Sequence, residues 1–378
     1  MTKESPISVL IVDDSALMRN IISRIIDDAP GLTVAGKAMN GHFALQKIPK
    51  LKPDVILLDL EMPQIDGISF LKERKKRGIT IPVVILSSIA KKGAKITMEA
   101  LSLGASDFIL KPSGSASDEI RTVSSQIVQI VKGYGSSYKL EKGEAVEPIP
   151  PQEAKNEPAA TDEPTAPYAT KKRKAPHITP KCEPGKIELV AIGISTGGPN
   201  ALRQVFSEID PDIDVPILVV QHMPAGFTYE FAKSLDKICP LEVKEAAEGD
   251  IVKPNRVLIA PGDNHITVER KRLASVAHLT TDPPVNGHRP SADVLFGSVS
   301  KQYGNNALAV IMTGMGRDGA QEIGSIYREG SMTLGQGPDS SVVYGMPRVA
   351  HENGYLRKVV ELNDMAAEIS KIVKESRQ

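Results

Sequence analysis

The chain has 378 residues, 41% of them hydrophobic, and its 46 basic residues balance 46 acidic ones. That length points to two or three domains with ordinary cores, and the zero net charge gives no argument for nucleic-acid or membrane-surface partners. No apolar run approaches the roughly 20 residues of a membrane span, no secretory apolar region follows Met1, and Cys182 and Cys239 form neither a CxxC pair nor a metal spacing, so the expectation is a cytoplasmic protein with no structural disulfide and no direct membrane insertion.

Residues 1–130 alternate short apolar runs with helical patterns. Strands are expected at Ile7–Val12, Leu32–Lys37, Val55–Leu58, Val83–Leu86 and Asp107–Leu110. A helix over Ser15–Asp28 puts Leu17, Ile21, Ile22, Ile25 and Ile26 on one face. Five β/α units imply an α/β fold with a doubly wound parallel sheet, its site at the C-terminal strand ends.

Those ends carry Asp13-Asp14, Asp59, Ser87-Ser88 and Lys111. Carboxylates gathered at one sheet edge repel each other unless a cation lies among them, and hard oxygen ligands suit Mg²⁺. A carboxylate beside a metal and a lysine is the set needed for an aspartyl-phosphate. Each residue alone would only solvate a loop; the full set in order argues against that reading. The segment resembles a response-regulator receiver domain, of flavodoxin-like fold. The resemblance implies Asp59 as phosphoacceptor from a histidine kinase, Asp13, Asp14 and Asp59 around Mg²⁺, and Lys111 as phosphate contact. Ser87 takes the switch hydroxyl position, Phe108 the switch aromatic position, and Glu61 would reach a metal through its backbone carbonyl only.

Residues 131–186 are expected to be a flexible linker. Nine of the 28 prolines lie between Pro148 and Pro184, and aliphatic clusters are nearly absent. The linker is acidic early and basic later, at Lys171–Lys174, and His177 within it is expected to be inert.

The third segment, 187–378, is again α/β. Its opening apolar run ends in Gly193-Ile-Ser195-Thr-Gly197-Gly198, and a helical pattern follows from Pro199. Gly-x-Ser-x-Gly between strand and helix is the pattern of a nucleophile elbow. The same turn could instead hold a phosphate or nucleotide at the helix N-terminus, making the chain a phosphorylation-dependent binding module. That loop, however, has no lysine, and no acidic ribose-binding residue stands at a matching strand end. A DNA-binding output is the weakest option, because the pattern is strand alternation and not helix-turn-helix.

A serine nucleophile needs a base, and the base needs an orienting carboxylate. Of the seven histidines, His42 lies in the first segment and His177 in the linker. Only His222 directly follows an interior strand, Pro216–Gln221, of the Ser195 sheet. His265, His278 and His288 lie in loop or polar contexts and are weaker candidates. Asp318, in Thr313-Gly-Met-Gly-Arg-Asp318-Gly, is the strongest carboxylate, and the Met315 and Gly316 amides beside it are possible oxyanion donors. The chain order Ser, His, Asp differs from the α/β-hydrolase order, in which histidine comes last, and favours a Rossmann-like sheet.

Several stretches then resemble the chemotaxis protein-glutamate methylesterases: Gly-Ile-Ser195-Thr-Gly-Gly-Pro, Gln-His222-Met-Pro, His288-Arg-Pro-Ser-Ala-Asp-Val-Leu-Phe296, Met-Thr-Gly-Met315-Gly-Arg-Asp318-Gly and Tyr344-Gly-Met-Pro. The order of receiver, linker and esterase matches as well. The resemblance implies Ser195 as nucleophile, His222 as base, Asp318 as orienter and the Met315 N–H as oxyanion donor. No cofactor is expected for ester hydrolysis. The implied substrates are γ-glutamyl methyl esters, with receptor glutamines for deamidation, on the cytoplasmic helices of chemoreceptors. The unphosphorylated receiver is expected to cover the Ser195 edge.

Overall fold

The computed structural model describes residues 5–88, 91–111, 117–144 and 178–377. The first sheet is built from β1 (Ile7–Val12), β2 (Leu32–Ala38), β3 (Val55–Asp59), β4 (Val83–Ser87) and β5 (Asp107–Leu110), in the order β2-β1-β3-β4-β5 and wholly parallel. Helices α1 (Ala16–Asp27), α2 (Gly41–Leu51), α3 (Gly67–Lys76), α4 (Lys91–Ser102) and α5 (Ser117–Glu141) cover both faces. This explains why every residue of β3 and β4 is buried: a parallel sheet sandwiched by helices has no wet face. The first three helices start at side-chain caps. Ser15, Asn40 and Asp66 accept from the amides of Met18, Phe43 and Ser69.

The expected boundary at residue 130 falls inside α5, which runs eleven residues further, to Glu141. Gly133, Gly135, Ser136 and Ser137 make that stretch read as a loop. Tertiary contacts override the local preference. The buried Lys139 ammonium donates to the carbonyls of Ser5 and Pro6, and the Tyr134 hydroxyl donates to the Ser106 carbonyl at 2.6 Å. At the other end of the expected linker, residues 178–186 are pinned to the third segment. Lys181 N–H donates to Arg328 O and Gly185 N–H to Asn305 O. Lys171–Lys174 and His177 lie outside the described residues.

The second sheet has seven parallel strands in the order β15-β14-β13-β6-β7-β10-β8. They are β6 (Leu189–Ile194), β7 (Ile217–Gln221), β8 (Glu242–Glu245), β10 (Arg256–Ile259), β13 (Ala307–Ile311), β14 (Met332–Gln336) and β15 (Lys358–Val360). The flanking helices are α6 (Gly198–Glu208), α7 (Phe227–Asp236), α8 (Ala292–Tyr303), α9 (Ala320–Arg328), α10 (Met346–Glu352) and α11 (Leu362–Glu375). The chain builds outward from β6 through β7, then returns to add β13 on the other side. The crevice at the C-terminal ends of β13, β6 and β7 is therefore a topological switch point, where doubly wound sheets bind ligands.

One part was not expected. β9 (Ile251–Val252), β11 (His265–Arg270) and β12 (Ser275–Thr280) form a small antiparallel sheet. His265, placed in a loop by the sequence, is the buried first residue of β11, and its Nδ1 accepts from the Ser291 amide at 3.2 Å.

The two α/β units pack against each other through the β5 edge and α4 of the first and α6 and α7 of the second. The Asn200 side-chain amide donates to the Ser106 carbonyl at 2.7 Å, and the Gly197 amide to Asp107 Oδ2 at 2.8 Å. Phe108 stacks on Phe227 with ring centroids 5.2 Å apart and planes within 7°.

Candidate active site

Ser195, His222 and Asp318 follow three adjacent strands, β6, β7 and β13, and their side chains meet. Ser195 Oγ lies 3.1 Å from His222 Nδ1, and His222 Nε2 lies 2.8 Å from Asp318 Oδ2. A carboxylate has no proton to give, so Nε2–H is the donor there. Nδ1 is left as an acceptor for the serine hydroxyl. The ring is turned end for end relative to the chymotrypsin arrangement, but either nitrogen can serve as base. The serine reaches this position because Gly197 has φ +80°, and a side chain there would collide with Val342, its Cβ only 2.7 Å from Val342 Cγ2.

Asp318 is fully buried, which pushes its carboxyl up, yet hydrogen bonds from His222, Ser291 and Asn286 outweigh that and hold it well below the usual carboxylate range. The Ser291 hydroxyl donates to Oδ1 at 2.6 Å and Asn286 Nδ2 at 2.9 Å. The Ala292 amide donates to Oδ2 at 2.6 Å. Ala292 is the first residue of α8, so the carboxylate sits on a helix N-terminus, where the dipole favours an anion. Ser291 would by sequence cap its own helix; here its hydroxyl serves Asp318 instead.

His288 stacks on His222, with ring centroids 3.8 Å apart and planes within 13°. Burial, helped by the neighbouring His222, pushes its imidazole down to about 4. At neutral pH it is uncharged and does not repel a proton arriving on His222. The sequence ranked His288 as a loop residue. Apart from the family resemblance of the stretch His288–Phe296, the residue types of Asn286, His288, Ser291 and Ala292 carry no signal of these contacts, because their partners lie 26 residues or more away in the chain.

The Met315 amide lies in the turn after β13. The Gly314 carbonyl is held by the amides of Gly345 and Met346, and no partner occupies the Met315 N–H among the described residues. The phosphate-holding alternative for the glycine turn has few donors: Gly198 N–H is bound to the Ser195 carbonyl, Pro199 has none, and Gly197 N–H already faces a carboxylate.

In the first sheet, carboxylate oxygens of Asp13, Asp14 and Asp59 lie within 4.8 Å of one another. Asp13 and Asp59 are buried and Asp14 is exposed. Lys111 Nζ bridges the pair at 2.9 Å from Asp13 and 2.7 Å from Asp59. Burial pushes the Asp59 carboxyl up against the pull of Lys111. An all-oxygen donor set with two buried carboxylates fits a hard divalent cation. The Ser87 hydroxyl is turned onto Thr97 Oγ1, at 2.7 Å, and Thr97 in turn donates to the Gly93 carbonyl. Phe108 faces helix α7 of the second α/β unit, stacked on its first residue, Phe227.

Residues 190–369 match the CheB methylesterase family and residues 9–123 the response regulator receiver domain. A protein-glutamate methylesterase/protein-glutamine glutaminase of Treponema denticola is 58% identical over 369 residues, covering 98% of this chain and 99% of that protein. This chain belongs to the CheB methylesterase family. A relative of the same name from Treponema pallidum is 52% identical over 395 residues, covering 98% of each chain. The solved CheB methylesterase catalytic domain of Thermotoga maritima aligns at 35% identity with 50% of this chain and 99% of its own, at a TM-score of 0.49. By the two family matches, this chain combines a receiver and a methylesterase domain. No helix among the described residues is long and apolar enough to cross a membrane.

Proposed function

We propose that this chain removes methyl groups from glutamate γ-methyl esters on chemoreceptors, and deamidates receptor glutamines, under the control of receiver phosphorylation in the cytoplasm. The observation that carries the reading is the hydrogen-bonded line from Ser195 through His222 to Asp318 at the switch point of the second sheet. Ser195 Oγ attacks the ester carbonyl while its proton passes to His222 Nδ1. The carbonyl electron pair moves onto oxygen, where the Met315 N–H serves as a donor. Collapse of that intermediate breaks the ester bond, and the leaving oxygen takes the proton from His222 and departs as methanol. Water repeats the sequence on the acyl-enzyme, delivering the free glutamate and restoring Ser195. Asp318 orients His222 and stabilises its charged form throughout. Methanol release from methylated receptor membranes, compared with and without a phosphodonor, tests the whole reading.

In the receiver, a histidine kinase is the proposed phosphodonor, with Asp59 as acceptor. Asp13, Asp14 and Asp59 would hold Mg²⁺, which when bound neutralises charge at the transferring phosphoryl group. Ser87 and Phe108 take the switch positions. Asp59→Asn is expected to abolish incorporation of radiolabelled phosphoryl group while leaving unstimulated methanol release within about twofold of wild type. Label persisting in that variant would count against Asp59.

The contacts between Asp107 and Gly197 and between Phe108 and Phe227 support a masking role for the receiver, because both touch the segments that follow β6 and β7. The buried Asp107 carboxyl is pushed up to about 7 by burial, against hydrogen bonds from the Gly197 and Phe108 amides. Its facing neighbour Tyr134 is itself raised by burial and stays un-ionised. A docked carboxyl raised in this way is ionised only at a cost. That cost grows as pH climbs from the ordinary carboxylate range to about 7 and is constant above it. Asp107→Asn keeps an acceptor for Gly197 without the charge. The unstimulated esterase rate of wild type, divided by that of Asp107→Asn, is therefore expected to rise up to about pH 7 and then level. A flat ratio would argue against Asp107 as part of the mask.

A further inference from the structure

Gln221 ends β7 immediately before His222 and is 2% exposed. Its Nε2 donates to the Ser195 carbonyl at 3.0 Å and to the His222 carbonyl at 3.2 Å. One buried amide thus grips the backbone of both the serine and the histidine. Its Oε1 is buried without a hydrogen-bond partner among the described residues, and a Cβ at Gly198 would stand 2.0 Å from it. Leaving a buried acceptor unsatisfied is unfavourable, so holding Nε2 in place outweighs satisfying Oε1.

The Ser195 carbonyl accepts a second hydrogen bond from the Gly198 amide at 2.8 Å. The peptide joining Ser195 to Thr196 is planar, with its N–H opposite its C=O. Pulling the carbonyl toward Gln221 and Gly198 therefore turns the Thr196 N–H the other way. That N–H has no partner among the described residues, whereas the next two amides, Gly197 and Gly198, are both taken. The Met315 N–H is set in the same manner, by the Gly345 and Met346 amides holding the Gly314 carbonyl. Gly314 lies against the serine, since a Cβ there would stand 2.8 Å from Ser195 Cβ.

We infer that Gln221 is a positioning residue for hydrolysis at Ser195: it locks the Ser195–Thr196 peptide so that the Thr196 N–H, paired with that of Met315, receives the developing oxyanion. The amide following a nucleophile is well suited to this task, because it belongs to the same turn as the attacking oxygen. The inference rests on the esterase reading above.

The test uses the full chain with methylated receptor membranes. Gln221→Met removes both donors at similar length. Its kcat is expected to fall on the order of 10- to 100-fold, with KM within about twofold. Gln221→Glu presents a carboxylate to two carbonyl oxygens at pH 8 and regains a donor on protonation. Its kcat relative to wild type is expected to rise as pH falls from 8 to 6. Folded content by circular dichroism accompanies each measurement, and if Gln221→Met does not fold, Gln221→Glu carries the test. A Gln221→Met kcat within twofold of wild type would overturn the inference, as would a pH-independent Gln221→Glu ratio or a kcat loss matching the loss of folded protein. Wild type that releases no methanol while Ser195→Ala behaves identically would instead overturn the esterase reading, and this inference with it.

Discussion

Replacing Asp318 with asparagine is expected to lower kcat for methyl-ester hydrolysis by about 10⁴-fold. The carboxylate accepts from His222, Ser291, Asn286 and the Ala292 amide, and gives nothing back. An asparagine brings an NH₂ group into a site made only of donors. Whichever way the amide is turned, one donor faces another. The arrangement that keeps Ser291 and Asn286 satisfied points the NH₂ at His222 Nε2, and the ring then takes the other tautomer. Nδ1 would carry the hydrogen and lose its ability to accept one from Ser195. Stability is expected to fall by about 1–3 kcal/mol, since buried donors lose their acceptor. Methanol release under saturating substrate gives the first number and denaturant titration the second. A loss smaller than tenfold would mean that the tautomer is fixed by something other than Asp318.

Ser195→Ala is expected to remove at least about 10⁴-fold of the activity, leaving only what the oxyanion donors and substrate binding provide. The substitution removes one oxygen from a partly exposed turn whose shape is set by backbone contacts. The Ser195 amide is bonded to the Thr313 carbonyl and its own carbonyl to Gly198 and Gln221, none of which involves the hydroxyl. Folding and phosphoryl transfer to Asp59 are therefore expected to be unchanged. Methanol release and phosphoryl incorporation measured on the same preparation check both halves. Turnover close to wild type would remove Ser195 from the mechanism.

Much of the molecule is legible in its sequence for identifiable reasons. The strands that lead to the sites are largely apolar runs that stop at polar, glycine or proline residues, so the residues flanking Ser195, His222 and Asp318 are enough to assign all three to strand ends. The fold then needs only to place β13, β6 and β7 side by side. What the sequence hides is whatever acts through the backbone or across long separations. Gln221 reads as the polar end of a strand, and its function lies in two carbonyls it grips. Ser291 reads as a helix cap. His288 acquires its place only because residues 286–293 fold over the ends of β7 and β13. The extension of α5 past residue 130 is hidden differently: its glycines and serines signal a break, and only the buried Lys139 and Tyr138 show why none occurs.

The contact between Asp107 and the Gly197 amide has one more consequence. Asp318 and Asp107 each place a carboxylate against backbone amides where a helix of the esterase begins, α8 in one case and α6 in the other. The first comes from within the domain; the second comes from the neighbouring domain and, on the masking proposed above, can be withdrawn. Thermodynamic linkage makes such a loan reciprocal. Whatever occupies the serine turn and displaces Asp107 must also shift the receiver toward its undocked form. If the receiver masks the serine as proposed, a covalent adduct on Ser195 that displaces Asp107 is expected to change how readily Asp59 gains and keeps a phosphoryl group, so that the receiver would register the state of the esterase.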